Sequence, residues 1–165
     1  MSSTPNRATN PADKPRKKGI SHDLSTVRQM LPLVKSIVTD IVSSRQAIAK
    51  LTPEQERLDR HRRDLVWLER ERRYQVIDEI AAAEQVLTRA VGELSGLGIN
   101  LIDDLVGEVD FPTKINGRAA SYTWRFGEDG VRHWHYQGED QLRPIPSDWD
   151  QHTPMTPIRF AGKKS

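Results

Sequence analysis

The sequence predicts an α+β fold: a long, coiled-coil-like antiparallel hairpin of two helices, a small three-stranded antiparallel β-meander, and disordered N- and C-terminal tails. Three observations favour it. Apolar residues recur at three- and four-residue spacing up to Gly98, side chains alternate afterwards, and both ends are polar and rich in proline. The predicted segments are a basic tail (1–22), the hairpin (23–98), the meander packed on the hairpin base (99–146) and a proline-rich tail (147–165).

Composition limits the class of protein. Of the 165 residues, 36% are hydrophobic and 29% are charged, which indicates an elongated helical body rather than one large core. The net charge of +2 gives little reason to expect a nucleic-acid partner. Because the chain has no cysteine, disulfides, thiolate chemistry and cysteine zinc sites are excluded. With neither a signal peptide nor an apolar run of about 18 residues, we expect a soluble cytoplasmic protein without membrane contact.

The first helix is predicted to begin after Asp23, a residue type that caps helix N-termini well. Pro32 lies inside this helix and predicts a kink or an irregular start. The apolar seam has heptad spacing, Val27, Leu31, Val34, Val38, Ile41 and Ile48, and is broadened by Met30, Ile37 and Val42.

The stretch "LTPEQ" predicts that a second helix begins at Thr52, with Pro53 in its first turn and Gln55 completing a capping box. The two helices would then measure about 42 Å and about 64 Å, which do not match in a hairpin. Two alternatives are open. Either Thr52 marks only a kink and the turn lies nearer residue 60, or the second helix projects alone.

The second helix combines a charged first half with an apolar seam. Residues 54–73 hold six acidic residues and seven arginines, a mixture typical of a solvated helix. The predicted seam comprises Leu65, Leu68, Ile77, Ile80, Leu87, Val91 and Leu94, and Gly96 and Gly98 supply the stop. Because a two-helix hairpin leaves one stripe uncovered, we expect the sheet, a second copy or both to cover it. A homodimer with four helices satisfies this requirement.

Three strands are predicted after Gly98. "LVGEVDFP" reads as a short strand ended by Pro112, "KINGRAASYTWRF" carries an Asn116-Gly117 turn into a second strand, and "VRHWHYQ" forms the third after "GEDG". From Arg143 onward the chain is aperiodic, and we expect it to lie against the body at Ile145 and Trp149.

The stretch from Tyr122 to Gly138 is dense in aromatic and polar side chains. A two- or four-residue turn within 127–130 places one group on a single face, with Glu128 at its rim: Tyr122, Trp124, Phe126, Val131, His133 and His135. A His-x-His pair beside carboxylates can bind Zn, Mn, Fe or Ni, so the candidate metal ligands are Asp110, Glu128, His133 and His135. In the structural alternative, the histidines pack on aromatic rings or hydrogen-bond a buried carboxylate.

Several of these stretches resemble the bacterial proteins grouped as domain of unknown function 2203, over residues 23–145. They are "DLSTVRQMLPLV", "EVDFP", "YTWRFGEDGVRHWH" and "RPI". The family pattern falls here on Asp110, Phe111, Pro112, Trp124, Arg125, Gly127, Glu128, Trp134, His135 and Arg143. Members often carry cysteine at the position of Thr123, so a thiol role cannot operate here. The resemblance implies a fold and a site location, makes Trp124 and Arg143 candidate ligand-binding residues, and supplies no activity.

No P-loop, dinucleotide glycine fingerprint, nucleophile elbow or HExxH motif occurs, which favours a non-enzymatic role. Our first hypothesis is an interaction or scaffold protein that acts as a helical-hairpin dimer and binds a protein partner through the hairpin. The alternative is a metal- or small-ligand-binding protein, including a metal-dependent enzyme, that holds a divalent metal at the Glu128 and His135 face. A third hypothesis, nucleic-acid binding through the basic tail and the arginine-rich helix, is opposed by the acidic residues between those arginines.

Overall fold

The computed structural model describes residues 19–151 as two long helices, a five-stranded antiparallel sheet and a short 3-10 helix. The elements are α1 (Leu24–Arg60), α2 (Trp67–Gly96), β1 (Asn100–Asp103), β2 (Glu108–Ile115), β3 (Arg118–Arg125), β4 (His133–Tyr136), β5 (Arg143–Pro144) and the 3-10 helix (Ser147–Gln151). The predicted α+β class and helical hairpin are confirmed, and β1 and β5 extend the predicted meander. The predicted tails lie mostly outside the described residues. Within 19–151, no helix is both long and apolar enough to cross a membrane.

Helix α1 starts and packs as its sequence predicts. The Asp23 carboxylate accepts a hydrogen bond from the backbone N–H of Thr26 at 2.7 Å, and this interaction lowers the pKa of Asp23. The seam from Val27 to Ile41 is buried, and Ile48 is half-buried. The helix contains Pro32 without a break.

The turn between the helices lies at residues 61–66, so the predicted helix start at Thr52 is wrong and the alternative of a turn near residue 60 is confirmed. The Thr52 hydroxyl donates to the carbonyl of Ile48 within α1 instead of capping a new helix. Helix α1 continues past Pro53 because the packing of Leu58 requires the helix to extend that far. The Leu58 side chain forms a small separate core with Leu65, Val76 and Ile80.

Ion pairs at the outer end of the hairpin also join the two helices. The Arg72 guanidinium binds both carboxylate oxygens of Glu54, at 2.7 and 3.0 Å, and Arg73 binds Asp59 at 2.7 Å. We predicted a longer apolar seam on α2 than the structure has. Leu68 and Val91 are exposed, whereas Val76 and Ala90 are buried.

The main core lies between α1, α2 and the sheet. Trp124 and Phe111 are its largest fully buried side chains, and each stabilises the fold by about 1.5–3 kcal/mol through burial. Ile145 and Trp149 pack against this core, with the Trp149 ring 5.4 Å from that of Trp134. The chain after β5 therefore completes the core, as we expected for Ile145 and Trp149.

His22 ties three parts of the fold together. Its backbone N–H donates to the carbonyl of Pro112, and its ring nitrogen Nε2 lies 2.9 Å from the carbonyl of Leu97. The ring also meets Phe111 edge-on. The start of α1, the end of α2 and strand β2 are thus joined at one buried imidazole.

The five strands follow one another in chain order, so every connection is a hairpin. Asn116 and Gly117 both have positive φ, 52° and 73°, and Ile115 pairs with Arg118, which confirms the predicted two-residue turn. We predicted that Pro112 ends its strand, but β2 runs through it to Ile115. Proline has no backbone N–H to donate. At Pro112 this position faces the β1 side of β2, and β1 pairs with β2 only as far as Asp110, so no hydrogen bond between strands is lost.

Gly107 sets how closely the sheet approaches α1. Its φ is +73°, and a Cβ placed there would lie 2.7–2.9 Å from Phe126, Val38 and Val42. We expect Gly107→Ala to lower the free energy of unfolding by about 2–4 kcal/mol, through overpacking and backbone strain.

The matched control is Gly117→Ala, because Gly117 has the same φ but nothing within 4 Å of the added Cβ. It should lose only the backbone term, about 1 kcal/mol. Urea denaturation of both variants measures the difference, and equal losses would show that Gly107 is not a packing constraint.

Candidate functional site on the outer face of the sheet

The strand register corrects the predicted distribution of side chains between the two faces of the sheet. Tyr122 pairs with Trp134, and Thr123 pairs with His133. Directly paired residues share a face, so the histidines lie with Thr123 and the tryptophan lies with Tyr122. The prediction that His133 and His135 share the face of the aromatic residues is therefore wrong. We call the face with the histidines the outer face and the face toward the core the inner face.

The correction arises from the length of the β3–β4 connection. The structure has seven residues between Arg125 and His133, an odd number, whereas we assumed a turn of two or four residues. A change of one residue moves a whole strand to the other face. Tertiary contacts hold the longer loop: the Trp124 indole N–H donates to the carbonyl of Glu128, and the Lys35 ammonium of α1 donates to that of Asp129.

The outer face carries a buried polar cluster built on Asp110 of β2. The Thr123 hydroxyl of β3 donates to Asp110 Oδ1 at 2.7 Å, and His135 Nε2 of β4 lies 2.8 Å from Asp110 Oδ2. Asp110 and Thr123 are only 7% and 5% exposed. Since the aspartate and the histidine come from strands on either side of β3, the cluster joins three strands.

The two acceptors around His135 favour its charged form. Its Nδ1 lies 2.9 Å from the backbone carbonyl of Tyr136, and Nε2 faces the Asp110 carboxylate. Only the imidazolium can donate from both nitrogens. Burial by itself lowers the pKa of His135, but the hydrogen bonds to Asp110 and to the Tyr136 carbonyl raise it more, and the net pKa lies above its usual 6.5.

This order of groups does not activate a nucleophile. In a Ser-His-Asp triad the imidazole lies between the hydroxyl and the carboxylate and takes the hydroxyl proton. Here Asp110 lies in the middle, so His135 has no contact with the Thr123 hydroxyl through which to deprotonate it. The arrangement instead satisfies a buried carboxylate with two donors.

The four predicted metal ligands are not gathered at one point. Asp110 and His135 form the pair described above, and the His133 side chain makes no hydrogen bond or ion pair within residues 19–151. Glu128 lies in the loop, where one carboxylate oxygen is buried without a hydrogen-bond partner in the structure. No group of three or more His, Asp or Glu side chains with metal-binding geometry occurs in this range. The metal site therefore stays a prediction.

The two predicted ligand-binding residues lie on the inner face, away from the polar cluster. Trp124 is 1% exposed within the core. Arg143 of β5 pairs with Trp134, and its guanidinium lies 5.3 Å from the ring centres of both Trp134 and Tyr136. It also binds Glu139 at 3.1 Å. Their role in ligand binding likewise stays a prediction.

The family comparison covers the region that forms this cluster. The sequence model of the family described as "Uncharacterized conserved protein (DUF2203)" matches residues 21–140. The chain belongs to this family. The DUF2203 match includes both helices and strands β1 to β4, and it ends before β5. No curated protein and no solved structure matches the chain.

Sequence reasoning missed the contributions of Thr123 and His22. Thr123 entered only as the position where DUF2203 members often carry cysteine, yet its hydroxyl completes the Asp110 cluster. His22 stands outside every motif, immediately before the cap of α1. A polar residue alternating with apolar neighbours on a strand was a usable signal for Thr123, whereas nothing local marks His22 as buried.

The Asp110–His135 pair should make stability depend on pH. A histidine with a raised folded pKa contributes stability that is complete below its unfolded value of 6.5 and is lost as the pH rises through the folded value. We expect His135→Gln to cost about 1–3 kcal/mol near pH 5.5, where the wild type has the imidazolium, and less near pH 9.

His133→Gln is the matched control, since the His133 side chain lies on the same strand and face and makes no hydrogen bond within residues 19–151. Chemical denaturation of both variants across this pH range measures the effect. If His135→Gln and His133→Gln give parallel curves, the pair does not stabilise the sheet.

Proposed function

We propose that this chain is a non-enzymatic interaction protein that acts as a dimer through its helical hairpin. The observation that carries the proposal is a group of exposed apolar side chains at the outer end of the hairpin, where α1 turns into α2. Val66, Trp67, Leu68 and Tyr74 are 63%, 76%, 73% and 65% exposed. We call these four residues the tip cluster.

The tip cluster lies outside both hydrophobic cores of the described chain. Leu58 and Leu65 already fill the small core at this end, and Arg70 fixes the turn by donating from Nε to the Leu65 carbonyl at 2.9 Å. Isolated exposed apolar residues are ordinary, but several exposed apolar side chains close together in the sequence, one of them a tryptophan, indicate an interaction surface. The tip cluster is therefore better explained by association than by folding.

The first residue of the cluster also lies where a different residue would serve the helix better. Val66 is the N-cap of α2, and it makes no capping hydrogen bond through its side chain. A serine or aspartate there would stabilise the helix by about 1 kcal/mol relative to an apolar residue. An exposed valine at a position where a capping residue would stabilise the helix is consistent with a contact surface.

The polar cluster of the sheet supports a structural role for that part. Asp110 receives hydrogen bonds on both oxygens, and both nitrogens of His135 are occupied, so a ligand would have to displace existing bonds. In the dimer hypothesis the sheet fixes the base of the hairpin, and the hairpin makes the contacts.

The double substitution Trp67→Ser with Leu68→Ser tests the proposal. Removing two exposed apolar side chains should leave the monomer fold intact, and we expect at least a tenfold weaker self-association, equivalent to about 1.4 kcal/mol. Sedimentation velocity over a concentration series measures the association, and circular dichroism verifies the helices.

Leu33→Ser is the matched control. Leu33 is 52% exposed on α1, outside the tip cluster, and its replacement should leave the association unchanged. A wild-type protein that is monomeric at every concentration, or equal association of the wild type and the double variant, would contradict the proposal.

A further inference from the structure

Helix α2 has an outward face that no other part of the described chain covers. Starting at Trp67 and ending at Gly92, eight positions recur at alternating spacings of four and three residues, and all eight are exposed. The same spacing on the opposite side of α2 carries Val76, Ile80 and Leu94, which are buried in the two cores that α2 shares with α1. We call the exposed row the outward seam. A row at this spacing follows one face of the helix, and its residues are Trp67, Glu71, Tyr74, Asp78, Ala81, Gln85, Thr88 and Gly92.

The outward seam is large at one end and small at the other. Trp67 and Tyr74 occupy its N-terminal half, while Ala81, Thr88 and Gly92 occupy its C-terminal half. An antiparallel partner helix of the same sequence would bring the large end of each copy onto the small end of the other. Side chains of alternating size can then interdigitate, which close packing requires.

Gly92 gives a second, independent indication. It lies inside α2, where glycine destabilises a helix relative to alanine. Nothing lies within 4 Å of a Cβ built on Gly92, so packing in the monomer does not require its small size. An approaching tryptophan of a second copy would require it.

Charge also favours the antiparallel arrangement. The segment 57–66 at the outer end has four arginines and two aspartates, a formal charge of +2. The segment 93–104, which ends α2 and forms β1, has three carboxylates and no basic residue, a formal charge of −3. An antiparallel pair of hairpins sets each basic end beside the partner's acidic end, whereas a parallel pair sets like charges together.

The acidic end also presents apolar surface. Ile102 and Leu105 are each 54% exposed, beside an open recess of about 390 Å³ lined by residues 101–105. The exposed apolar residues next to α2 are thus grouped at its two ends. Antiparallel packing brings the tip cluster of one copy toward this recess of the other.

From these observations we propose that a second copy of this chain covers the outward seam, with the two α2 helices antiparallel around a twofold axis. Trp67 lies opposite the partner's Gly92, Tyr74 opposite the partner's Gln85, and Glu71 opposite the partner's Thr88. The inference rests on the proposed function, which requires a hairpin dimer, and adds the helix face and direction of the contact.

The expected contact is of modest size. A seam about 38 Å long and about 10 Å wide buries about 380 Å² of each copy, below the roughly 800 Å² of a standard interface, and the ends add to it. The dimer should therefore have a dissociation constant on the order of micromolar, and experiments need protein well above that concentration.

Disulfide trapping distinguishes the possible arrangements, because the natural chain has no cysteine. Glu71→Cys and Thr88→Cys are prepared separately and then mixed in equal amounts under mild oxidation. The two positions are about 26 Å apart along one helix. In an antiparallel dimer of one variant, the introduced cysteine of one copy does not face that of the other. In a mixed dimer, the cysteine introduced at position 71 of one copy faces the cysteine introduced at position 88 of the other, within the roughly 7 Å between Cα atoms that a disulfide needs.

We expect a cross-linked dimer from the mixture, at least fivefold more abundant than from either variant alone. If each variant cross-links alone and the mixture gives no additional heterodimer, the hairpins are parallel. The inference then fails while the proposed function stands. If light scattering shows monomers at every concentration, the dimer of the proposed function fails as well. A dimer with no cross-link of any kind overturns the inference alone.

Gly92→Ala provides a test that does not depend on oxidation. In the monomer the added methyl group meets nothing and favours the helix, so the melting temperature at low concentration should rise. In the dimer the methyl group displaces the partner's Trp67, so the dissociation constant should increase at least fivefold. Gly130→Ala, which also adds a Cβ in open space but lies in the β3–β4 loop outside the proposed contact, is the control. Unchanged association in Gly92→Ala overturns the proposed contact.

Discussion

The burial of α1 on two sides is the constraint on which the rest of the structure depends. Val34, Val38 and Ile41 have no exposed surface, because α2 covers one side of the helix and the sheet covers another. A helix enclosed in this way fixes its neighbours at close-packed distances. This close packing explains why a glycine occupies position 107. It also brings Lys35 of α1 into contact with the β3–β4 loop. The register of the outer face is therefore coupled to a helix on the other side of the sheet.

The helical part could be predicted from sequence because its information is local and periodic. The seam from Val27 to Ile41 repeats at the spacing of a buried helix face, and the Asp23 cap lies beside it. The helix turn was harder to place, since the local signal at Thr52 and Pro53 competes with a distant one. Leu58 must reach Leu65 and Val76, and that packing outweighs the hydrogen bond that Pro53 cannot make.

The site was less accessible to sequence reasoning because it depends on parity. The alternation within β3 and β4 was visible, but the number of residues between them is set by contacts from Trp124 and from α1. One residue more or less moves both imidazoles to the opposite face. The face also decides the chemistry. On the aromatic face the two histidines would be candidate metal ligands, whereas on the outer face His135 hydrogen-bonds the buried Asp110 carboxylate.

The two ends of the molecule differ in whether contacts within the chain satisfy their side chains. At the sheet, the buried aspartate and its histidine each have their hydrogen bonds completed by the chain itself. At the hairpin end, apolar side chains remain in water although the local core is already filled. Water disfavours the second situation and not the first, so any association would reduce the free energy mainly at the hairpin. In the dimer that we propose, an isologous contact along α2 would relieve this exposure in both copies at once, because each would supply the surface that the other lacks.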